Sequence, residues 1–217
     1  SAASDVYKRQ EHGYHIPANL LAKTVLTSLL PYIPENRQAL AIRVKTLVAA
    51  ISQGITEYGI QTLPSGERGF AYEVDGLGHA CFMDDANVPS LLSLPFLGAL
   101  SAEDPLYIAT KSFVTSMQNP YFYKGSVLQG IGSEHTPPRY VWPIAVAMEG
   151  LVATADSIKQ DKLALIAATT GDTGQCHEGV HQDDSRQYTR TWFSWANMTF
   201  CQLALDVIQW QKREVKP

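Results

Sequence analysis

The stretch Gly171–Asn197, GDTGQCHEGVHQDDSRQYTRTWFSWAN, is the one around which the rest of the chain can be ordered. It gathers His177, Glu178, His181, Asp183, Asp184 and Arg190 with no 3.6-residue period and no alternation of apolar and polar residues. A loop of this length inside a compact domain is either functional or disordered. Disordered segments are poor in aromatics, whereas this one carries Tyr188, Trp192, Phe193 and Trp195. It reads as a binding or catalytic loop running into a helix, with no strand expected inside it.

Three further loops share that character, and each also runs towards a helix: EHGYHIP, DGLGHACFMDDANVP and GIGSEHTPPRYVWP. Helical spacing of apolar residues predicts helices over 17–30, 35–59, 88–98, 102–118, 142–153, 155–169 and 194–212. Pro17 suits a first turn, Pro31 and Pro34 stop the first helix, and Gly59 ends the second. Ser101 and Glu103 lie where they could cap the fourth. Phe70, Tyr72 and Val74 alternate with polar partners, as in a hairpin arm. A unit of one functional loop and two helices, repeated without sequence similarity, fits stacked helical hairpins. If the loops share one end, the hairpins close around a common axis, and the fold class is all-α, an (α/α) toroid. Four units make only part of such a ring. A helical domain whose loops do not converge is the alternative.

The 217 residues suffice for one large domain with a sizeable core. A net charge of -4 and the lack of a basic stripe argue against nucleic acid as a partner. The longest apolar runs, such as 91–100, are broken by Ser and Pro and fall short of the ~20 residues of a membrane span, so no membrane partner is expected. Three cysteines without CxxC spacing exclude a disulfide scaffold and favour a reducing, cytoplasmic compartment. Residues 1–10, SAASDVYKRQ, lead into no pattern, resemble translated adaptor sequence, and are set aside as a non-native segment. Residues 11–217 are then expected to be the C-terminal part of a single domain.

HEGVH at 177–181 matches the HExxH pattern of zinc peptidases. That chemistry places both histidines on one face of a packed helix, yet the flanks here are polar and Gly179 sits in the middle. Chance loop histidines are the better reading, and no metal or cofactor is expected. The carboxylates Asp84, Asp85, Glu134, Glu178, Asp183 and Asp184 are the other resource. Two carboxyls across a pocket, one donating a proton and one activating water, hydrolyse glycosides. Trp142, Trp192, Trp195, Tyr14 and Tyr123 could supply faces for sugar rings. Each has a structural reading too: Trp195 and Phe200 as core residues at helical spacing, Phe193 and Ser194 as packing and capping residues, Asp84 and Asp85 as caps of a helix near Asn87. No GxSxG, P-loop or GxGxxG occurs.

Three long motifs carry a family resemblance: YEVDGLGHACFMDDANVPSLLSLPFLG (72–98), YFYKGSVLQGIGSEHTPPRYVWPIAVAMEGL (121–151) and HEGVHQDDSRQYTRTWFSWAN (177–197). They resemble the metal-independent exo-α-1,6-mannosidases of glycoside hydrolase family 125, as EHGYHIPAN (11–19) does more weakly. The resemblance implies an (α/α)6 toroid, the six-hairpin glycosidase fold, present as an incomplete C-terminal portion. It implies inverting removal of terminal α-1,6-linked mannose from an α-mannoside or an N-glycan-derived oligosaccharide. Glu178 matches the family's general base. The family's general acid, an Asp upstream of the segment like GYHIPAN, is not reproduced: Tyr7 and Lys8 stand near its place, and the role does not transfer to Asp5. The chain alone is therefore expected to be inactive, and a non-catalytic carbohydrate-binding protein on the same fold is the second reading. By loop position and motif membership, Asp75, His79, Asp84, Asp85, His135, Arg139, Trp142, Arg190 and Trp195 are the candidate substrate-binding residues.

Overall fold

A computed structural model describes residues 12–214, with side chains described to residue 209. Expectations for the first ten residues lie outside the described residues. The chain forms two compact units, Ser1–Met83 with Pro89–Lys111, and Asp84–Val88 with Ser112–Pro217.

In the first unit, helix α1 (Ile16–Leu29) starts with Pro17 in its first turn, where the missing N–H would have had no partner. Pro31 and Pro34 fall in the turn beyond it. Helix α2 (Gln38–Gly54) passes into a wider turn over Ile55–Gly59. A Cβ at Gly59 would stand 3.0 Å from Ile16 Cδ1, so this chain reversal leaves little room for a side chain. α1 and α2 pack on each other. Three short strands, β1 (Tyr14–His15), β4 (Glu73–Val74) and β5 (Ala80–Cys81), pair in the order β1-β4-β5. β2 (Ile60–Thr62) and β3 (Arg68–Phe70) form a hairpin. Ile16, Leu20, Ile55, Leu63, Phe70, Val74, Leu91, Leu92, Leu94 and Tyr107 make the core. No residue of α2 is buried, and Leu40, Ile42 and Leu47 are exposed. Against expectation, Glu35–Gly59 is long and apolar enough, by length and composition, to cross a membrane.

The helix expected over 88–98 is absent; the segment is a chain of turns. Pro89 and Pro95 remove two backbone donors. Ser90 and Ser93 exchange hydrogen bonds: each amide donates to the other's hydroxyl, and Ser93 Oγ donates to the Ser90 carbonyl. Such local bonds compete with the helix ladder. The helix expected over 102–118 is shorter, α3 (Pro105–Val114). Its cap is Asp104, whose carboxylate accepts the Leu106 N–H at 2.8 Å, rather than Ser101.

In the second unit, α4 (Pro143–Leu151), α5 (Asp156–Ala168) and α6 (Ser194–Glu214) pack pairwise. Gly150 lets α4 meet α6 closely, since a Cβ there would lie 2.9 Å from Leu203. Lys162 pairs with Glu149 across α4 and α5, and Lys159 with Asp206 across α5 and α6. β6 (Phe122–Lys124) and β7 (Gln129–Ile131) form one hairpin. β8 (Tyr140–Val141), β9 (Gly179–His181) and β10 (Asp184–Thr189) form a three-stranded antiparallel sheet in the order β10-β9-β8. The all-α expectation is thus amended: helices dominate, but the loops between them are organised as small antiparallel sheets. The stretch 171–197 contains a hairpin where no strand was expected. Its strands are short, its arms polar, and its register breaks between Asp184 and Tyr188.

Candidate active site

The hairpin fixes Glu178. The Glu178 amide donates to the Thr189 carbonyl at 3.2 Å, and the Gly179 amide donates to Thr189 Oγ1 at 3.0 Å. Cys176, two residues before Glu178, is clamped as well. Asn197, in the first turn of α6, accepts the Cys176 N–H and donates to the Cys176 carbonyl and to the Phe193 carbonyl. These bonds hold the carboxylate at the mouth of the sheet, 8% exposed. Arg190 Nε lies 3.2 Å from Glu178 Oε1, and its guanidinium stands 5.4 Å from the centre of the Phe193 ring. Arg190 has φ 47°, a left-handed conformation that costs a non-glycine residue on the order of 1–2 kcal/mol. Such outliers cluster at functional sites. Arg190 therefore faces Glu178, where sequence reading grouped it with substrate contacts.

The hairpin tip is held from the other side by Asp183. Its carboxylate accepts the Ser126 N–H at 2.8 Å and the Ser126 hydroxyl, and pairs with Arg139, another left-handed residue with φ 74°. The Ser126 amide is the main cause that holds the Asp183 carboxyl well below the ordinary range, down to about 2. The Gln182 carbonyl accepts the Val127 and Leu128 amides. A Cβ at Gly125 would fall on the Gln182 carbonyl oxygen, so this close approach requires glycine. Arg139 thus stabilises the hairpin tip.

Of the remaining candidates in this unit, Asp84 and Asp85 are buried, and no helix follows for them to cap. Asp85 accepts the Asn87 amide, the Asn87 side chain and, at 2.7 Å, the Ser133 hydroxyl. The Asp84 amide donates to Asn119 Oδ1. His135, partly exposed, donates its amide to Ser133 Oγ. Trp142 is only 2% exposed; its Nε1–H donates to Thr136 Oγ1 at 2.9 Å and its ring meets Phe193 edge-on. It is a floor beneath Gly179, whose Cβ would stand 3.3 Å from that indole, and it presents no open face. Trp195, read by spacing as core, is instead 54% exposed and tilts onto Phe193, which does pack as expected. Helical spacing puts Trp195 on the apolar side, but in the first turn of α6 it is Ala196 that is buried. Trp192 is exposed as well.

In the first unit, Asp75 accepts the Leu77 amide at 2.7 Å, the His79 amide and a ring nitrogen of exposed His79. Led by the Leu77 amide, these bonds lower its carboxyl to about 2 against opposing desolvation. Asp75 lines a cavity of about 510 Å³ with Tyr14, Asn19, Ile51, Tyr58 and Leu77.

The zinc-peptidase pattern fails on geometry. His181 lies in a strand and no residue of HEGVH is helical. The ring nitrogens of buried His177 lie 3.2 Å from the Arg190 carbonyl and 2.9 Å from the Thr170 carbonyl. No group of three or more His, Cys, Asp or Glu side chains suited to a metal occurs among the described residues. Cys176, chiefly by burial, has its thiol pushed up to about 11, which leaves no thiolate nucleophile beside His177. Sequence reading missed Tyr188, stacked on His177 at 3.7 Å, and Asn197, 21 residues from the Cys176 it clamps. No local pattern announces either.

The geometry can be set beside known proteins. A family profile for metal-independent α-mannosidases (GH125) matches residues 5–205. The meiotically up-regulated gene 157 protein of Schizosaccharomyces pombe is 39% identical over 198 residues, covering 90% of this chain and 39% of that protein. A Streptococcus pneumoniae metal-independent α-mannosidase, solved in a non-productive substrate complex with α-1,6-mannobiose, superposes with a TM-score of 0.90 at 43% identity. That match covers 92% of this chain and 48% of the solved one. A bacterial glucoamylase solved with acarbose superposes with a TM-score of 0.69 at 15% identity, over 91% of this chain and 34% of that one, a likeness of fold alone. The chain therefore spans about half the length of the solved mannosidase, and its helices follow the six-hairpin glycosidase fold. It belongs to glycoside hydrolase family 125, the metal-independent α-mannosidases.

Proposed function

We propose that the protein to which this chain contributes removes terminal α-1,6-linked mannose from oligosaccharides of the N-glycan type by inverting hydrolysis, with Glu178 as the general base. The carrying observation is the Glu178 carboxylate, nearly buried, fixed by the β9–β10 hairpin and paired with Arg190 at 3.2 Å. In this reaction the base takes a proton from water as that water attacks the anomeric carbon. The opposite carboxyl protonates the leaving oxygen, and the two stand roughly 6.5–9.5 Å apart to admit the water. Trp192 and Trp195, exposed residues of the same stretch, offer aromatic faces for the apolar side of a sugar ring. The 43% identity to a mannosidase bound to α-1,6-mannobiose supports this substrate class.

We expect these 217 residues alone to be inactive, because the described residues assign only one carboxylate of the pair. The test is hydrolysis of α-1,6-mannobiose followed by NMR, using the longest natural polypeptide that carries this chain and the chain by itself. The longer polypeptide should release β-mannose first and the short chain none. α-Mannose as the first product, or turnover by the short chain, contradicts the respective part of the proposal. Binding without turnover by the longer polypeptide would instead identify a carbohydrate-binding protein.

A further inference from the structure

The residue before the base has no place in the reaction as described, yet it is among the most tightly enclosed in the chain. His177 is fully buried and its ring lies flat on Tyr188, centroids 3.7 Å apart and planes 3° apart. Nε2 lies 2.9 Å from the Thr170 carbonyl and 3.3 Å from the Thr173 hydroxyl. Nδ1 lies 3.2 Å from the carbonyl of Arg190. The Thr173 hydroxyl donates to the Thr170 carbonyl at 2.7 Å, so that carbonyl is held whether or not the imidazole is present. Arg190 is the left-handed residue whose guanidinium lies on Glu178.

From this we infer that His177 is a positioning residue for the proposed base: through Nδ1 it holds the Arg190 backbone in its left-handed turn, and Arg190 in turn orients Glu178. The inference rests on the reading of Glu178 as base. A left-handed arginine relaxes unless its surroundings over-determine it, and a ring wedged between Tyr188 and two carbonyls is such a constraint. Both carbonyls are acceptors, so holding Arg190 requires the ring N–H at Nδ1. Release of the Arg190 carbonyl lets the backbone leave φ 47° and carries the guanidinium off the carboxylate. A displacement of about 1 Å at a reacting group costs on the order of 100-fold in rate.

The two amide substitutions separate this role from simple loop anchoring. In His177→Asn the amide nitrogen stands near the Nδ1 position and can still reach the Arg190 carbonyl; in His177→Gln it stands near Nε2 and reaches Thr170. Assayed on α-1,6-mannobiose in the longest natural polypeptide, Asn should retain most of kcat, while Gln and Phe should lose on the order of 100-fold in kcat with KM nearly unchanged. The reverse order, with Gln better than Asn, overturns the inference, since His177 then serves the Thr170 turn. A crystal structure of His177→Phe supplies a readout without activity: Arg190 should leave the left-handed region and its Nε should move beyond ion-pair distance of Glu178. An unchanged Arg190–Glu178 pair also overturns it. Full activity of Glu178→Gln would sink the reading of the base, whereas an inactive Glu178→Gln with the wrong order at position 177 sinks only this inference.

Discussion

Trp142 separates a structural from a sugar-binding role most sharply. Motif membership made it a substrate contact, but the ring is 2% exposed, donates Nε1–H to Thr136 at 2.9 Å and underlies Gly179. Trp142→Ala should cost about 3–5 kcal/mol, the range for truncating a buried large aromatic to alanine. Trp142→Phe keeps most of the apolar contact and loses one buried hydrogen bond and part of the ring. A net hydrogen bond contributes about 1 kcal/mol, so roughly 1–2 kcal/mol in total is expected. With a urea m-value of about 2 kcal/mol/M, the alanine variant should lower the unfolding midpoint by roughly 1.5–2.5 M. The assay is far-UV circular dichroism against urea, paired with titration of α-1,6-mannobiose onto the folded Phe variant. The structure predicts reduced stability with mannoside affinity within about twofold of the parent, because the ring shows the ligand no face. Parent-like stability together with strongly weakened binding would refute the argument and restore Trp142 to the substrate pocket.

Two further outcomes follow from the site's electrostatics and burial. Asp183 and Asp75 both have folded-state carboxyls lowered to about 2, led by the Ser126 and Leu77 amides respectively. A depressed carboxyl contributes stability that is fully present above its unfolded value near 3.8 and lost as pH falls through about 2. Stability measured from pH 5 to pH 2 should therefore decline more shallowly in Asp183→Asn than in the parent, and parallel curves would contradict the assignment. Cys201 is exposed while Cys176 is buried with its thiol raised to about 11. A thiol reagent at pH 8 should label Cys201 rapidly and Cys176 only under unfolding conditions; fast labelling of Cys176 would show that the loop beside Glu178 opens.

How much could be read in advance follows from what each segment buries. α1, α2, α4, α5 and α6 were legible because each sustains a helical period over several turns, and prolines at 17, 31, 34 and 143 mark their limits. Of the strands, only the arm around Phe70 and Val74 was legible; the others were not, because strands here run for two to six residues. Alternation has no room to show over such lengths. Residues 88–98 misled because their leucines fall at helical spacing while their prolines and serines hold the backbone in turns. Residues 171–197 stood out in the sequence by their acids and aromatics, but the bonds that organise them are distant: Arg139 meets Asp183 44 residues away. The reading of Glu178 as a base came from resemblance to a family; its local sequence also matched a zinc pattern, which the polar flanks and Gly179 spoke against and which the strand at Gly179–His181 does not fit.

The most direct test of the account is Glu178→Gln in the longest natural polypeptide that carries this chain, assayed for release of mannose from α-1,6-mannobiose. Glutamine preserves the shape and the neighbours of the side chain but cannot take a proton from water. Turnover should fall by three orders of magnitude or so, within the range of general-base and positioning effects combined, while the thermal midpoint and mannobiose affinity stay close to the parent's. Near-parental turnover by the folded variant would contradict the assignment of Glu178 as the base.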